Sequence, residues 1–202
     1  RESGMRYNGE EVCAFGRNDV PAKMDSGIRA VSVGPSGALV VATSRGGVSV
    51  LRGENWTTYT VDNGLTQNET FAALEDRAGR IWVATENRGI TRLDGSKASV
   101  FNTRNGLPSD VGYALAEDGT GAIWVATGEG IARIEGERIQ PFSTEAGLPD
   151  GAAFSLAVAP DGQLFVGTEE GLYVGRGGRF ELVLPDFPKV AIASLQIDEQ
   201  GS

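Results

Sequence analysis

An all-β fold built from a repeated module of four short antiparallel strands is predicted by three observations. The first is recurrence. Asp76 to Gly95 (DRAGRIWVATENRGITRLDG) returns as DGTGAIWVATGEGIARIEG from Asp118 to Gly136, with thinner versions at Gly34 to Gly53 and Ala159 to Gly177. The second is spacing. The threonine closing each hydrophobic run falls at Thr43, Thr85, Thr127 and Thr168, in steps of 42, 42 and 41 residues, and the leucine of an NGL-type loop falls at Leu65, Leu107 and Leu148. The third is texture: the runs are short, β-branched and closed by glycine, whereas helical repeats of this length need apolar residues at three- and four-residue spacing. A period of about 40–45 residues with several strands per unit is that of propeller blades. The predicted fold class is therefore an all-β propeller with about five blades' worth of ~42-residue repeats.

Each unit resolves into strands A to D. In the best-preserved one, A is about Phe71 to Glu75, B is Arg80 to Thr85, C is Gly89 to Leu93 and D is Ala98 to Thr103. The A–B connections are four-residue turns ending in glycine: Gly34–Gly37, Asp76–Gly79, Asp118–Gly121, Ala159–Gly162 and Asp198–Gly201. Aspartate first or proline second, with glycine fourth, is a type I turn pattern. The C–D connections read Asn8-Gly9, Arg52-Gly53, Asp94-Gly95, Glu135-Gly136 and Arg176-Gly177, and X-Gly between two strands suits a tight primed hairpin turn.

One propeller region over 1–202 is expected, with blades at about 27–68, 69–110, 111–150 and 151–188. The segment 1–26 matches strands C and D of a further unit, and 189–202 matches a strand A with its turn. Cut inside a blade at both ends, the chain is expected either to close a ring imperfectly through a shared terminal blade that lacks its B strand or, as the favoured alternative, to be a piece of a larger propeller.

Composition narrows the function. The 202 residues carry 29 glycines, which fits many tight turns, and a formal charge of −9, which disfavours nucleic acid and anionic membrane surfaces. Cys13 is the sole cysteine and there is no histidine, so no internal disulfide, no cysteine-based metal cluster and no histidine base is expected. No apolar run approaches the roughly 20 residues of a membrane span. No cofactor is implied.

The combination D-x-x-G-x-I-W-V-A-T, then G-I-x-R, then F-x-T-x-x-G-L-P resembles the two-component regulator propeller repeat. Trp82 and Trp124, Thr85 and Thr127, and Asn105-Gly106-Leu107-Pro108 carry the match, and Ala146-Gly147-Leu148-Pro149 repeats it with one change. The first full unit, with Val40 at the tryptophan position, and the fourth, with Phe165, are more degraded. Such repeats form the extracytoplasmic input region of bacterial sensor kinases, some responding to carbohydrates. The resemblance thus implies a non-catalytic sensory domain, periplasmic or extracellular, whose membrane contact and signalling output lie outside this chain.

Antiparallel order puts the A–B and C–D turns at one end of the blades and the B–C and D–A loops at the other. At the first end, Asp76, Asp118 and Asp198 are expected to bond their own turn backbone, and Trp82 and Trp124 to pack between blades. The second end varies between units, as recognition loops do on a fixed scaffold. Its B–C loops carry Arg45, Glu86, Arg88, Glu129 and Glu170. Where strand A begins, the equivalent positions are Arg29, Phe71, Tyr113, Phe154 and Ala193, so three aromatics and an arginine would ring the channel mouth. Aromatic faces and planar polar groups converging on a concavity suit a sugar or another small polar ligand. Gap-filling by Phe71 and Phe154, and solvation of the glutamates, are the plainer explanations.

The expected partner is a small polar ligand or another protein chain, including a second copy in a homodimer. The rival readings are an interaction or dimerisation scaffold and, third, a propeller lyase or hydrolase restricted to carboxylates such as Glu86 with Glu129.

Overall fold

A computed structural model describes residues 4–7, 12–15, 27–183, 185 and 189–197. Four antiparallel four-stranded sheets follow one another along the chain. The first holds β3 (Ile28–Val33), β4 (Leu39–Thr43), β5 (Val48–Arg52) and β6 (Asn55–Tyr59). The second holds β7 (Thr70–Glu75), β8 (Ile81–Thr85), β9 (Ile90–Asp94) and β10 (Lys97–Phe101). The third holds β11 (Gly112–Glu117), β12 (Ile123–Thr127), β13 (Gly130–Glu135) and β14 (Arg138–Phe142). The fourth holds β15 (Ala153–Val158), β16 (Leu164–Thr168), β17 (Gly171–Arg176) and β18 (Arg179–Leu182). Ahead of them, β1 (Gly4–Tyr7) pairs antiparallel with β2 (Val12–Phe15). The turn at Asn8-Gly9, Cys13 beyond its backbone pairing, and the turn at Asp198–Gly201 lie outside what is described.

The first strands of successive sheets, β3, β7, β11 and β15, stand side by side. Each second strand packs on the first strand of the following sheet: β4 on β7, β8 on β11 and β12 on β15. The cores therefore lie between sheets. Val40, Val48 and Val50 meet Ala73, Ile81 and Val83; Trp82, Ile90 and Phe101 meet Ile123, Val125 and Ile134; Trp124 and Ile131 meet Leu156, Val166 and Phe180. Leu65, Leu107 and Leu148 of the NGL-type loops plug one such core each, which explains their regular recurrence.

The threonine at the end of each second strand has a local cause. Its Oγ1 donates to the carbonyl of the glycine beyond the B–C loop: Thr43 to Gly47 at 2.9 Å, Thr85 to Gly89 at 2.8 Å, Thr127 to Gly130 at 2.9 Å and Thr168 to Gly171 at 3.0 Å. The same oxygen accepts from Gly46, Arg88, Glu129 and Glu170 N–H. The step of 41 residues has its origin here, since the last two loops are one residue shorter. Thr85→Val, equal in size but without the hydroxyl, should lower the unfolding free energy by about 1–2 kcal/mol, measurable by urea titration.

Two turn expectations need amendment. In the C–D hairpins, Arg52 pairs with Asn55 and Asp94 with Lys97, so glycine occupies the first central position, not the second. Gly53, Gly95 and Gly136 have φ of 59°, 58° and 62° while, among the described residues, no non-glycine residue has positive φ, the signature of a type II′ turn. Strand D also ends earlier than the sequence suggests. Asn102 leaves it to cap a 3₁₀ turn at Thr103–Asn105, and Asn105 reciprocates by accepting the Asn102 N–H at 2.7 Å. Ala146 replaces that asparagine in the next loop, and the cap is missing there.

Residues 189–197 form no strand, contrary to the strand A that the repeat predicts. Yet Ile192 N–H donates to Thr168 O at 3.0 Å and Ser155 Oγ to Ile192 O at 2.8 Å, so the segment lies against the open side of the fourth sheet.

Candidate functional site

The A–B end is held by carboxylates with structural duties. Asp76 Oδ1 accepts from Ala78 and Arg80 N–H at 3.0 and 2.9 Å, and Oδ2 accepts from Arg80 Nε at 2.6 Å and Trp82 Nε1 at 2.7 Å. Asp118 repeats the arrangement with Thr120 and Ala122 N–H on Oδ1, and Trp124 Nε1 and Arg133 Nε on Oδ2. The turn bonding expected from sequence is present at both; the tryptophan bond is an addition that explains why Asp and Trp recur six residues apart.

In the first sheet Gly34 replaces the aspartate and Val40 the tryptophan. A Cβ at Gly34 would collide with the Glu75 carboxylate of the next sheet, which bonds Ser36 and forms an ion pair with Arg52 at 2.7 Å. Burial alone would raise the Glu75 carboxyl, but the bonds from Ser36 and Arg52 outweigh it and leave it lowered.

Asp118 is displaced in the same direction and by a large amount. Burial pushes its carboxyl up, and bonds from Thr120 and Arg133 with the Arg133 charge overcome this, bringing it from 3.8 to about 2. A depressed carboxyl stabilises the fold above its unfolded value and loses that contribution as pH falls through the folded value. About 2 kcal/mol should therefore disappear between pH of about 4 and about 2. Asp118→Asn should be less stable at neutral pH and show a flatter acid limb by circular dichroism.

The opposite end carries the candidate site. Pairing of β3 with β4 skips Arg29, β7 with β8 skips Phe71, β11 with β12 skips Tyr113, and β15 with β16 skips Phe154. Each first strand thus carries a bulge at the residue that the sequence aligns at the channel mouth, and a bulge re-aims the extra side chain. The four side chains meet in one row. The Arg29 guanidinium lies 4.8 Å from the Phe71 ring centre, Phe71 is 5.4 Å from Tyr113, and Tyr113 is 5.2 Å from Phe154 in an edge-on contact. Each ring is only partly buried, and Arg29 is exposed. An exposed cation–π contact of this kind is worth about 0.5–1 kcal/mol. Ala193, at the equivalent position in the final segment, is exposed and adds no ring.

Of the other rim residues, Glu86 comes beside the row and the rest do not help to build it. Arg45, Arg88 and Glu129 are exposed and take no part in the cation–π and ring contacts that build it. Glu86 lines a narrow cleft with Arg29, Ser44, Glu69, Thr70 and Phe71. Glu170 pairs with Lys189 at 2.7 Å. The backbone beneath is tied across sheets: Gly47, Gly89 and Gly130 N–H donate to Asn68, Asp110 and Gly151 O at 2.8–3.0 Å. Asn68 and Asp110 also cap Val61 and Thr103 N–H, so their side chains support loops. Among the described residues no group of three or more acidic or cysteine side chains is placed to hold a metal ion.

Sheets whose first strands stand side by side, each carrying a second strand against its neighbour, define a β-propeller. Residues 64–87, spanning an NGL loop, β7 and β8, match the family model described as Two component regulator propeller, the repeat whose resemblance the sequence carries. No curated protein matches the sequence.

Among solved structures, the chain is similar to the extracellular domain of the hybrid two component system BT4673 of B. thetaiotaomicron, with 20% identity and a TM-score of 0.70 over 87% of this chain and 25% of that one. It is likewise similar to the extracellular domain of BT3049 of the same organism, with 20% identity and a TM-score of 0.66 over 95% and 25%. Virginiamycin B lyase from Staphylococcus aureus is also similar, with 18% identity and a TM-score of 0.65 over 88% and 62%. The chain spans about a quarter of the length of the first two. At these identities the likeness concerns the fold.

Proposed function

We propose that this propeller region senses a ligand without transforming it, as part of the extracytoplasmic input of a bacterial signalling protein. The carrying observation is the row Arg29–Phe71–Tyr113–Phe154, presented by four bulges at the variable-loop end. The family match at 64–87 and the two-component neighbours support the sensory role. The neighbours are extracellular domains, which favours a location outside the cytoplasm; among the described residues no helix is long and apolar enough to cross a membrane. A small polar compound with a ring that can lie on an aromatic face, such as a sugar, fits this mouth.

A thermal-shift screen of mono- and oligosaccharides tests the reading. A compound that stabilises the wild type should bind Tyr113→Ala and Phe154→Ala at least about tenfold more weakly, the loss expected for about 1.4 kcal/mol of stacking. Unchanged affinity in both variants would remove the site from the row.

An interaction scaffold has its own support. The side of β3 that β4, β8 and β12 cover on later first strands leaves Ile28 56%, Val31 56% and Val33 72% exposed. That reading predicts a mass above monomer by light scattering, restored to monomer by Val31→Asp. A lyase reaction is disfavoured: the lyase is also known as a catalytically inactive form with alanine in place of a histidine, and these 202 residues contain no histidine.

A further inference from the structure

We propose that the cleft beside Phe71 is a cation seat, made for the guanidinium or ammonium group of a ligand and occupied in cis by Arg29. This rests on the rim being the ligand face and names the chemistry of one part of it. The Arg29 guanidinium sits 4.8 Å from the Phe71 ring centre. Glu69 and Glu86 line the same cleft. Neither glutamate forms an ion pair among the described residues, and Arg29 forms none either. The arginine is therefore placed on the ring by its face rather than locked to a carboxylate. Such a contact at an exposed site is weak, so an incoming cation can displace it.

The same rim receives a second cation from within the chain. Lys189 Nζ lies 2.7 Å from Glu170, in the B–C loop of the fourth sheet. Two internal cations thus rest on this end of the molecule, one on a ring and one on a carboxylate. Formal charge of −9 adds a long-range attraction for positive ligands. With Arg29 as one of its walls the cleft is too tight to admit a ligand group. Truncating Arg29 would leave a space shaped for a guanidinium, over Phe71 and beside Glu69 and Glu86.

Calorimetric titration with agmatine, which carries a guanidinium and an ammonium group, tests this, with N-butylurea as a neutral control. Arg29→Ala should bind agmatine about tenfold more tightly than the wild type does, and neither protein should bind N-butylurea. Adding Phe71→Ala or Glu86→Gln to Arg29→Ala should weaken agmatine at least about tenfold again. Arg29 is exposed and its contact with Phe71 is weak, so Arg29→Ala should lower the melting temperature by no more than about 2–4 °C. Absence of agmatine binding in Arg29→Ala, affinity equal to the wild type, or equal binding of N-butylurea would overturn the seat. Should agmatine fail while a screened ligand still depends on Tyr113, the rim remains the ligand face and only the cation seat falls.

Discussion

Trp82→Ala is expected to lower the unfolding free energy by about 3–5 kcal/mol, the range for a buried tryptophan. For a chain of this size that corresponds to a fall in melting temperature of roughly 10 °C. Trp82 is 2% exposed and lies in the core shared by the second and third sheets. Its ring stacks on Phe101 at 5.4 Å, and the Arg92 guanidinium lies 5.5 Å from it on the way to the Gly136 carbonyl. Alanine would open a cavity, strand Arg92 over one ring and leave Asp76 without its indole donor. The more exposed Trp124, at 9%, should tolerate truncation better. Denaturant titration giving less than about 1 kcal/mol for Trp82→Ala would mean that the sheets do not share this core.

Asp76→Asn is expected to cost about 3–4 kcal/mol, although it changes only one atom. The carboxylate uses both oxygens, Oδ1 for two turn N–H groups and Oδ2 for Trp82 and Arg80. An amide can keep only one of these oxygens as an acceptor. Its NH₂ then faces either two donors on the tryptophan side or two on the turn side. The site is 1% exposed, so water cannot repair the mismatch. Combining Asp76→Asn with Trp82→Phe should cost less than the sum of the two, since phenylalanine removes one of the opposed donors. Strict additivity by chemical denaturation would contradict the bond.

Much of the architecture was legible because the repeat states it several times. Recurrence at 42, 42 and 41 residues located the four sheets, and Gly-terminated turns located their corners. The Asp-to-Trp bond was visible as a fixed six-residue interval in two units, but an interval does not say that two side chains converge. Gly34 illustrates the limit. The departure from aspartate looks like decay in sequence, whereas it makes room for Glu75 from the neighbouring sheet, a contact 41 residues away that no local pattern encodes.

At the candidate site, alignment of strand starts brought Arg29, Phe71, Tyr113 and Phe154 to equivalent positions. The bulge that turns each toward its neighbours is a matter of pairing between strands and has no signature in the residues themselves. Arg45, Arg88 and Glu129 occupy equivalent loops too, yet they take no part in the cation–π and ring contacts of the row. Residues 189–197 match strand A in pattern but lack a following strand B among the described residues, and form no ladder.

The most direct test of the recognition proposed for the Arg29–Phe71–Tyr113–Phe154 row is fluorine NMR of protein labelled with 3-fluorotyrosine, whose four tyrosines give four signals assignable by single Tyr→Phe variants. A ligand found by thermal shift should move the Tyr113 signal first, at sub-stoichiometric addition, and leave Tyr59 and Tyr173 in place. Displacement of the Tyr59 or Tyr173 signal with Tyr113 unmoved would show that the ligand binds elsewhere on the propeller.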